Sequence, residues 1–398
     1  MSLRPPAGFI SANYDPLKNP NAPTIGTASA GNASASVAFT APANVGGSAI
    51  TAYYAVSSPE RVTVSGASSP ITVTGLTNGT PYTFSVWALN SYGPSPFSSA
   101  SGSVTPAAAR GLFGGGSGGG LSNVIDYVTL STTGNATDFG DLTQNRYQLG
   151  ACSSSSRAVF ATGLTSIPGY SNVMDYVTIA SAGNAVDFGD FPFVSSGTAG
   201  CSSQTRGVFG GGQEGGGVSN PITYITIATT GNGQDFGNLT VDRELPGACS
   251  SPTRGVFGGG WTGSVVSNVL DYITIASTGS ATDFGDLSVR RVYLSACSSD
   301  TRGVFGGGYN TSFVDINVID YITIASTGNA TDFGDLIEVE SGNSACASLT
   351  RGLFAGGGSS NIIQYVTIAS VGNATDFGDL TAAREGLAGC SSAHGGLA

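Results

Sequence analysis

The chain has 398 residues, a length that suits two or three domains, each with a core of its own. Only 10% of the residues are charged, against about a quarter in ordinary soluble proteins, and glycine alone contributes 61. The 14 basic and 25 acidic side chains leave a net charge of −11, which repels phosphate backbones and argues against nucleic acid as a partner. No run of 18 apolar residues is present to span a membrane as a helix.

Residues 1–22, "MSLRPPAGFISANYDPLKNPNA", are broken up by prolines and lack the apolar core of a secretory signal. They read as an extended arm that anchors the chain to a larger assembly. Residues 23–107 are rich in Ala, Ser, Thr and Val, with turn signals between alternating runs such as "SASVAFTAP" and "ITAYYAVSS". That alternation predicts a β-sandwich. The stretch "GLTNGTPYTFSVWALNSYG" resembles a fibronectin type III domain through Leu76, Gly79, Tyr82 and Asn90. The resemblance makes Tyr82 the tyrosine-corner residue, with its hydroxyl bonded to nearby backbone. Phe39 stands in for the usual early tryptophan, and Trp87 is expected in the core.

From residue 108 onward one sentence is written six times. Copies start at Arg110, Arg157, Arg206, Arg254, Arg302 and Arg351, at intervals of 47, 49, 48, 48 and 49 residues. Each runs "RGVFGGG", a variable stretch, "NVIDYITIASTGNATDFGDL", a second variable stretch and "ACSS". The apolar pieces are β-branched and aromatic, "STGNA" is a turn, and no window carries helical periodicity. Four short strands per repeat of this length describe one blade of a propeller. In the fourth copy Gly258, Gly259, Tyr272, Phe284 and Arg291 fall in the order of a kelch repeat, which the segment resembles, with phenylalanine where kelch repeats place tryptophan. The expected fold is therefore all-β: a fibronectin type III-like sandwich at 23–107 and a six-bladed kelch-like propeller at 108–398. The spare "GLAGCSS" segment is expected to close the first blade, with residues 387–392 lying beside residues 111–116.

Several motifs imitate chemistry. "GGGSGGG" and "GGGQEGGG" lack the Lys-Ser/Thr and the helix start of a phosphate loop, so their glycines read as packing positions. "DFG" recurs in every copy without a catalytic loop or lysine, and its acids lack the dense Asp/Asn loop that calcium needs. Cys152, Cys201, Cys249, Cys297, Cys346 and Cys390 occur once per repeat; they read as small buried hydrophobes rather than disulfide or zinc partners. His394 is the single histidine, too few for a metal triad. Glu214, Glu244, Glu338, Glu340 and Glu385 could supply a glycosidase pair, but nothing in the sequence pairs them. No metal or cofactor is expected.

Variation is concentrated in two places, the loop after "FGGG" and the segment after "DFGDL". In a four-stranded blade both emerge on the same rim, opposite the uniform turns, as a binding surface would be organised. Its candidate contact residues are Tyr147, Tyr170, Phe193, Trp261, Tyr293, Tyr309 and Phe313, with Arg146, Arg243 and Arg291. Exposed aromatics with sparse arginines suit carbohydrate or protein recognition. The opening "PPAGFISANYDPLKNPNAPTIGTASAGNASASV" and the low-charge repeats resemble structural proteins of tailed phages of marine cyanobacteria. That resemblance implies a non-enzymatic virion protein on tail fibre, baseplate or capsid, made in the host cytoplasm. Its arm would hold other virion proteins in a multimeric assembly, and its propeller would meet a host-surface glycan or protein. Two further readings remain, an intracellular kelch-type interaction scaffold and a polysaccharide-processing enzyme with two acids converging on the central channel.

Overall fold

The computed structural model describes residues 18–166 and 169–397, so most of the arm, residues 1–17, lies outside the described residues. It divides into two compact units, Met1–Ala108 and Ala109–Ala398. The chain is all-β; the one helical turn among the described residues is Gly395–Leu397.

In the first unit, two sheets face each other. One holds Thr24–Gly31, Ser34–Thr40 and Ile71–Thr74, and the other Thr63–Gly66, Ala52–Ser58, Thr83–Asn90 and Gly93–Pro94. Burial alternates along Ser34–Thr40, Ala52–Ser58 and Thr83–Asn90, so Val37, Ala55, Phe84 and Val86 meet in one core. The Thr77 N–H donates to the Tyr82 hydroxyl at 3.0 Å, and that hydroxyl donates to Glu60. Phe39 is in the core against Tyr53. Trp87 is not in the core. It occupies the outward positions of its strand and stacks on Tyr54 with ring centroids 4.1 Å apart. Residues 18–22 lie along this unit: the Lys18 N–H donates to Gly46 O and the Asn21 N–H to Asn44 O, both at 3.0 Å.

In the second unit, six open antiparallel sheets repeat one pattern, and no sheet closes on itself. Sheet I contains Ala388–Ser391, Arg110–Gly114, Val124–Thr129 and Thr137–Asp141, in that spatial order. Its innermost strand thus comes from the far end of the chain, pairing Ala388 with Gly114 and Ser391 with Gly111. Sheets II to VI each start from an "ACS"-type strand, Gly150–Ser153, Ala199–Ser202, Gly247–Ser250, Ser295–Ser298 and Ser344–Ala347; sheets III to VI run in sequence order, and sheet II carries the extra short strand Leu164–Ser166 beside Gly169–Thr178. These six innermost strands touch one another in cyclic order, the last against the first, around a common axis.

The repeated residues join sheet to sheet. Arg254 lies over the Tyr272 ring at 4.2 Å, and its Nη1 donates to Ile324 O in sheet V. The same contact is made by Arg110, Arg157, Arg206, Arg302 and Arg351, the last reaching back to Leu130 O in sheet I. The "DFG" motif also serves packing. Gly285 has φ +144°, and a Cβ there would lie 2.5 Å from Gly328 O in the "STGN" turn of the next sheet. That turn donates from Gly328 N–H to Phe284 O at 2.8 Å, while Asn329 Oδ1 accepts from the Asp286 N–H. Between the sheets lie Phe, Val, Ile and Cys in successive clusters, one per interface.

Candidate binding face

The two variable segments are brought together. In five of the six sheets the loop after the second strand bridges the connection that leads into its own sheet: Tyr147 with Leu164, Ser196 with Gln213, Glu244 with Trp261, Val292 with Tyr309, and Ser117 with Glu385. The uniform "SSxTR" and "STGNA" turns lie at the other ends of the strands. One end of the repeat scaffold is thus built from segments that differ in every copy.

Beneath this face runs a set of buried ion pairs. Arg243 Nη1 donates to Gly259 O and Val269 O, and its Nη2 meets Asp271 Oδ2 at 2.5 Å. Asp271 also accepts from the N–H and Oγ1 of Thr240. Arg146 with Asp175, Arg291 with Asp320 and Arg384 with Asp126 repeat the arrangement, and both partners of each pair are almost wholly buried. Burial pushes the guanidinium of Arg291 down, and Asp320 beside it pulls it back up. Arg146, Arg243 and Arg291 are therefore not contact residues of the face. Each has 0% exposure and is consumed by main-chain carbonyls and an aspartate, because an unpaired guanidinium in this interior would be costly. Arg384 has the same role, and its spacing from "DFGDL" matches the other three.

The aromatic candidates are distributed unevenly. Phe313 is 64% exposed, with Val265 and Val314 also exposed, and its ring sits 5.9 Å from that of half-buried Trp261. These residues join the loops of sheets IV and V into one apolar patch. Tyr309 stacks on Tyr293 at 6.2 Å. Tyr147 and Tyr170 are half-buried near one another in sheet II, and Phe193 rests edge-on against buried Phe191. Phe313 and Trp261 form an outward-facing aromatic pair; Tyr293 belongs to the axis.

At the axis, six equivalent residues form a closed ring of backbone hydrogen bonds. Gln148 N–H donates to Gly386 O, Gly386 to Gly342, Gly342 to Tyr293, Tyr293 to Leu245, Leu245 to Gly197 and Gly197 to Gln148, at 2.6–3.0 Å. All six have left-handed φ between 55° and 68°, which is why half of them are glycine. The Tyr293 ring passes over Gly342, and its hydroxyl reaches Gly386. Burial raises this phenol.

The opposite end of the axis is filled by the turn Gly395–Leu397 and by His394, whose Nε2 lies 3.2 Å from Ser153 O and 3.3 Å from Ser202 Oγ. Between the two ends are cavities of about 50, 60 and 90 Å³, lined by Ala, Cys, Ser, Gly, Leu and similar neutral groups. Among the described residues, no carboxylate lines them. The six cysteines are free and buried here, and burial pushes Cys201, Cys297 and Cys390 up to about 12, so none is a ready nucleophile. Among the described residues no cluster of His, Cys, Asp or Glu is arranged to hold a metal ion.

The first unit has the two-sheet geometry, the tyrosine corner and the core described above, and residues 21–103 match the family model of the fibronectin type III domain. Residues 21–103 are a fibronectin type III domain. Trp87 and Tyr54 lie on its outer surface, with Tyr82 and Phe39 in its interior. No curated protein matches the chain.

Proposed function

We propose that residues 109–398 form a six-bladed, kelch-like β-propeller whose variable face binds a host-surface glycan or protein. The chain as a whole is then a non-enzymatic structural protein of a tailed-phage virion. The arm at its start engages other virion proteins, and the fibronectin type III domain acts as a spacer. One observation carries this reading: six near-identical sheets present loops that differ in every copy at one end only, and Phe313, the most exposed large aromatic among the described residues, lies there beside Trp261. A non-catalytic role is supported by the neutral lining of the axis and by the plugs at both of its ends.

The test is adsorption. Fluorescently labelled full-length chain, incubated with a panel of marine cyanobacteria, is expected to bind at least one host saturably. Phe313→Ala with Trp261→Ala should reduce that binding at unchanged melting temperature. Absence of adsorption to any strain that a virion carrying the protein infects would overturn the attachment reading.

A further inference from the structure

The buried pair is absent from two of the six sheets, and the two losses differ. Sheet III has Ser195 and Thr223 where the others have Arg and Asp, and Pro192 replaces the Ser/Thr donor. Sheet VI has Glu340 in place of the arginine, Gln364 in place of the aspartate and Ile337 in place of the Ser/Thr. A carboxylate thus enters the site where four other copies hold a guanidinium. Gln364 Nε2 donates to Glu340 Oε2 at 3.3 Å, and the Ile337 N–H donates to Gln364 Oε1. Glu340 is only 4% exposed, yet its Oε1 has no hydrogen-bond partner.

The adjoining loop of sheet VI is also the shortest of the six, with "SS" after its glycines. A cavity of about 460 Å³ opens beside this short loop. It is lined by Glu340, Glu338 and Asp315 and by the turn at 357–361; it has no lysine or arginine in its wall. Asp315 Oδ1 is a second buried, unpartnered acceptor. In the four copies that hold the arginine it donates to two main-chain carbonyls, and among the described residues no arginine reaches the equivalents in sheet VI, Gly356 O and Ile362 O.

We propose that this cavity binds an organic cation, a guanidinium or primary ammonium group, that replaces the missing arginine. The acids do not converge tightly enough to chelate a metal ion, and the volume far exceeds that of a bare ion. A group with several N–H donors matches the three spread carboxylates of this wall, Glu340, Asp315 and Glu338. Such a cation has two sources, an arginine or lysine side chain of a protein partner and the amine of an amino sugar. The inference rests on comparison of the six copies and does not depend on the virion reading.

Isothermal titration calorimetry of the full chain at pH 8 tests it with four probes: N-acetylarginine amide, glucosamine, N-acetylglucosamine and calcium chloride. At least one of the first two is expected to bind at a single site, while the neutral sugar and calcium do not. Preference for the arginine derivative identifies a protein partner, and preference for glucosamine an amino sugar. Glu340→Gln should weaken the binding roughly tenfold or more, as loss of a charged hydrogen-bond acceptor does. The double variant Glu340→Arg/Gln364→Asp, which installs the pair that four sheets already use, should abolish it while keeping the wild-type melting transition. Binding by neither cation, binding of calcium instead, or undiminished binding by the double variant would overturn the proposal. Because no cell is involved, failed host adsorption with intact cation binding would count against the attachment role alone.

Discussion

The buried pairs predict a specific pattern of coupled mutations. In sheet IV, Arg243→Ser removes the donor to Gly259 O, Val269 O and Asp271, leaving a carboxylate with only the two Thr240 donors. Asp271→Thr does the converse and strands a guanidinium with no exposure to water. Each single change is expected to cost about 3–5 kcal/mol, the usual penalty for an uncompensated buried charge. The double variant recreates the Ser195 and Thr223 combination that sheet III already tolerates. Both charges are gone, so what remains is lost volume and two underused carbonyls, about 1–3 kcal/mol. The coupling between the two sites should therefore be about 3 kcal/mol or more, well outside the scatter of independent mutations.

Differential scanning calorimetry of the full chain suits the measurement, because the fibronectin type III domain provides a transition that these substitutions do not touch. Against a domain stability of about 5–15 kcal/mol, either single variant should be markedly destabilised, and the double variant should regain most of the loss. If the double variant melts as low as the sum of the singles predicts, the charges are not coupled and the reading of these residues as one unit is wrong.

Three more outcomes follow from named groups. Burial, reinforced by the charges of Glu338 and Asp315 and opposed by the nearby Ser360 hydroxyl and the hydrogen bond from Gln364, pushes Glu340 up from 4.5 to about 7. The folded state then holds a proton that the unfolded state has released, so stability falls by up to roughly 3 kcal/mol as pH rises through that window; Glu340→Gln should remove the fall. Burial pushes His394 the other way, from 6.5 down to about 4, with only the Ser153 carbonyl opposing. The neutral form is favoured in the fold, so this contribution is full above pH 6.5 and fades by up to roughly 3 kcal/mol as pH falls toward 4. The two trends nearly cancel between pH 4.5 and 6.5 in the wild type. Melting curves of Glu340→Gln and His394→Gln should therefore slope in opposite directions, and parallel curves would refute both assignments. Finally, Ser153, Ser202, Ser250 and Ser298 sit in a ring of hydroxyls in which Ser202, Ser250 and Ser298 each donate to the preceding carbonyl, Ser153 donates to Ser391 O and Ser391 to Ala347 O. Ala347→Ser supplies the missing donor to Ser298 O and should raise stability by about 1 kcal/mol, read from the shift in melting temperature.

The scaffold was legible because its physics repeats. A tyrosine flanked by β-branched residues, a glycine-closed apolar strand and a turn of Gly and Asn each carry the same local instruction six times. The contacts that join one sheet to the next fall on the repeated letters, Arg254 on Tyr272 and Gly285 against Gly328. Trp87 was harder to place, since a large aromatic in an alternating strand can face either way and only the register with Tyr54 decides. The arginines of the segment after "DFGDL" mislead for a related reason. Arg146, Arg243 and Arg291 stand in the segment that varies most, beside residues such as Tyr147 and Tyr293, and composition alone does not distinguish a buried guanidinium from an exposed one.

The corrective signal was nevertheless in the sequence, spread over positions about 30 residues apart. Wherever "NVIDY" keeps its aspartate, an arginine and a Ser/Thr follow the "DFGDL" segment of the sheet before; wherever the aspartate becomes Thr223 or Gln364, both of those partners change as well. Charge neutrality in a dry interior forces that correlation, since removing one member alone leaves the other unpaid. Sheet III satisfies the constraint by discarding both charges. Sheet VI does not: it replaces a cation by an acid, shortens the loop above it and leaves acceptors without donors. In a scaffold whose other five copies either pair the two charges or drop both, an unpaired acidic cavity on the variable face is where a partner's positive charge fits.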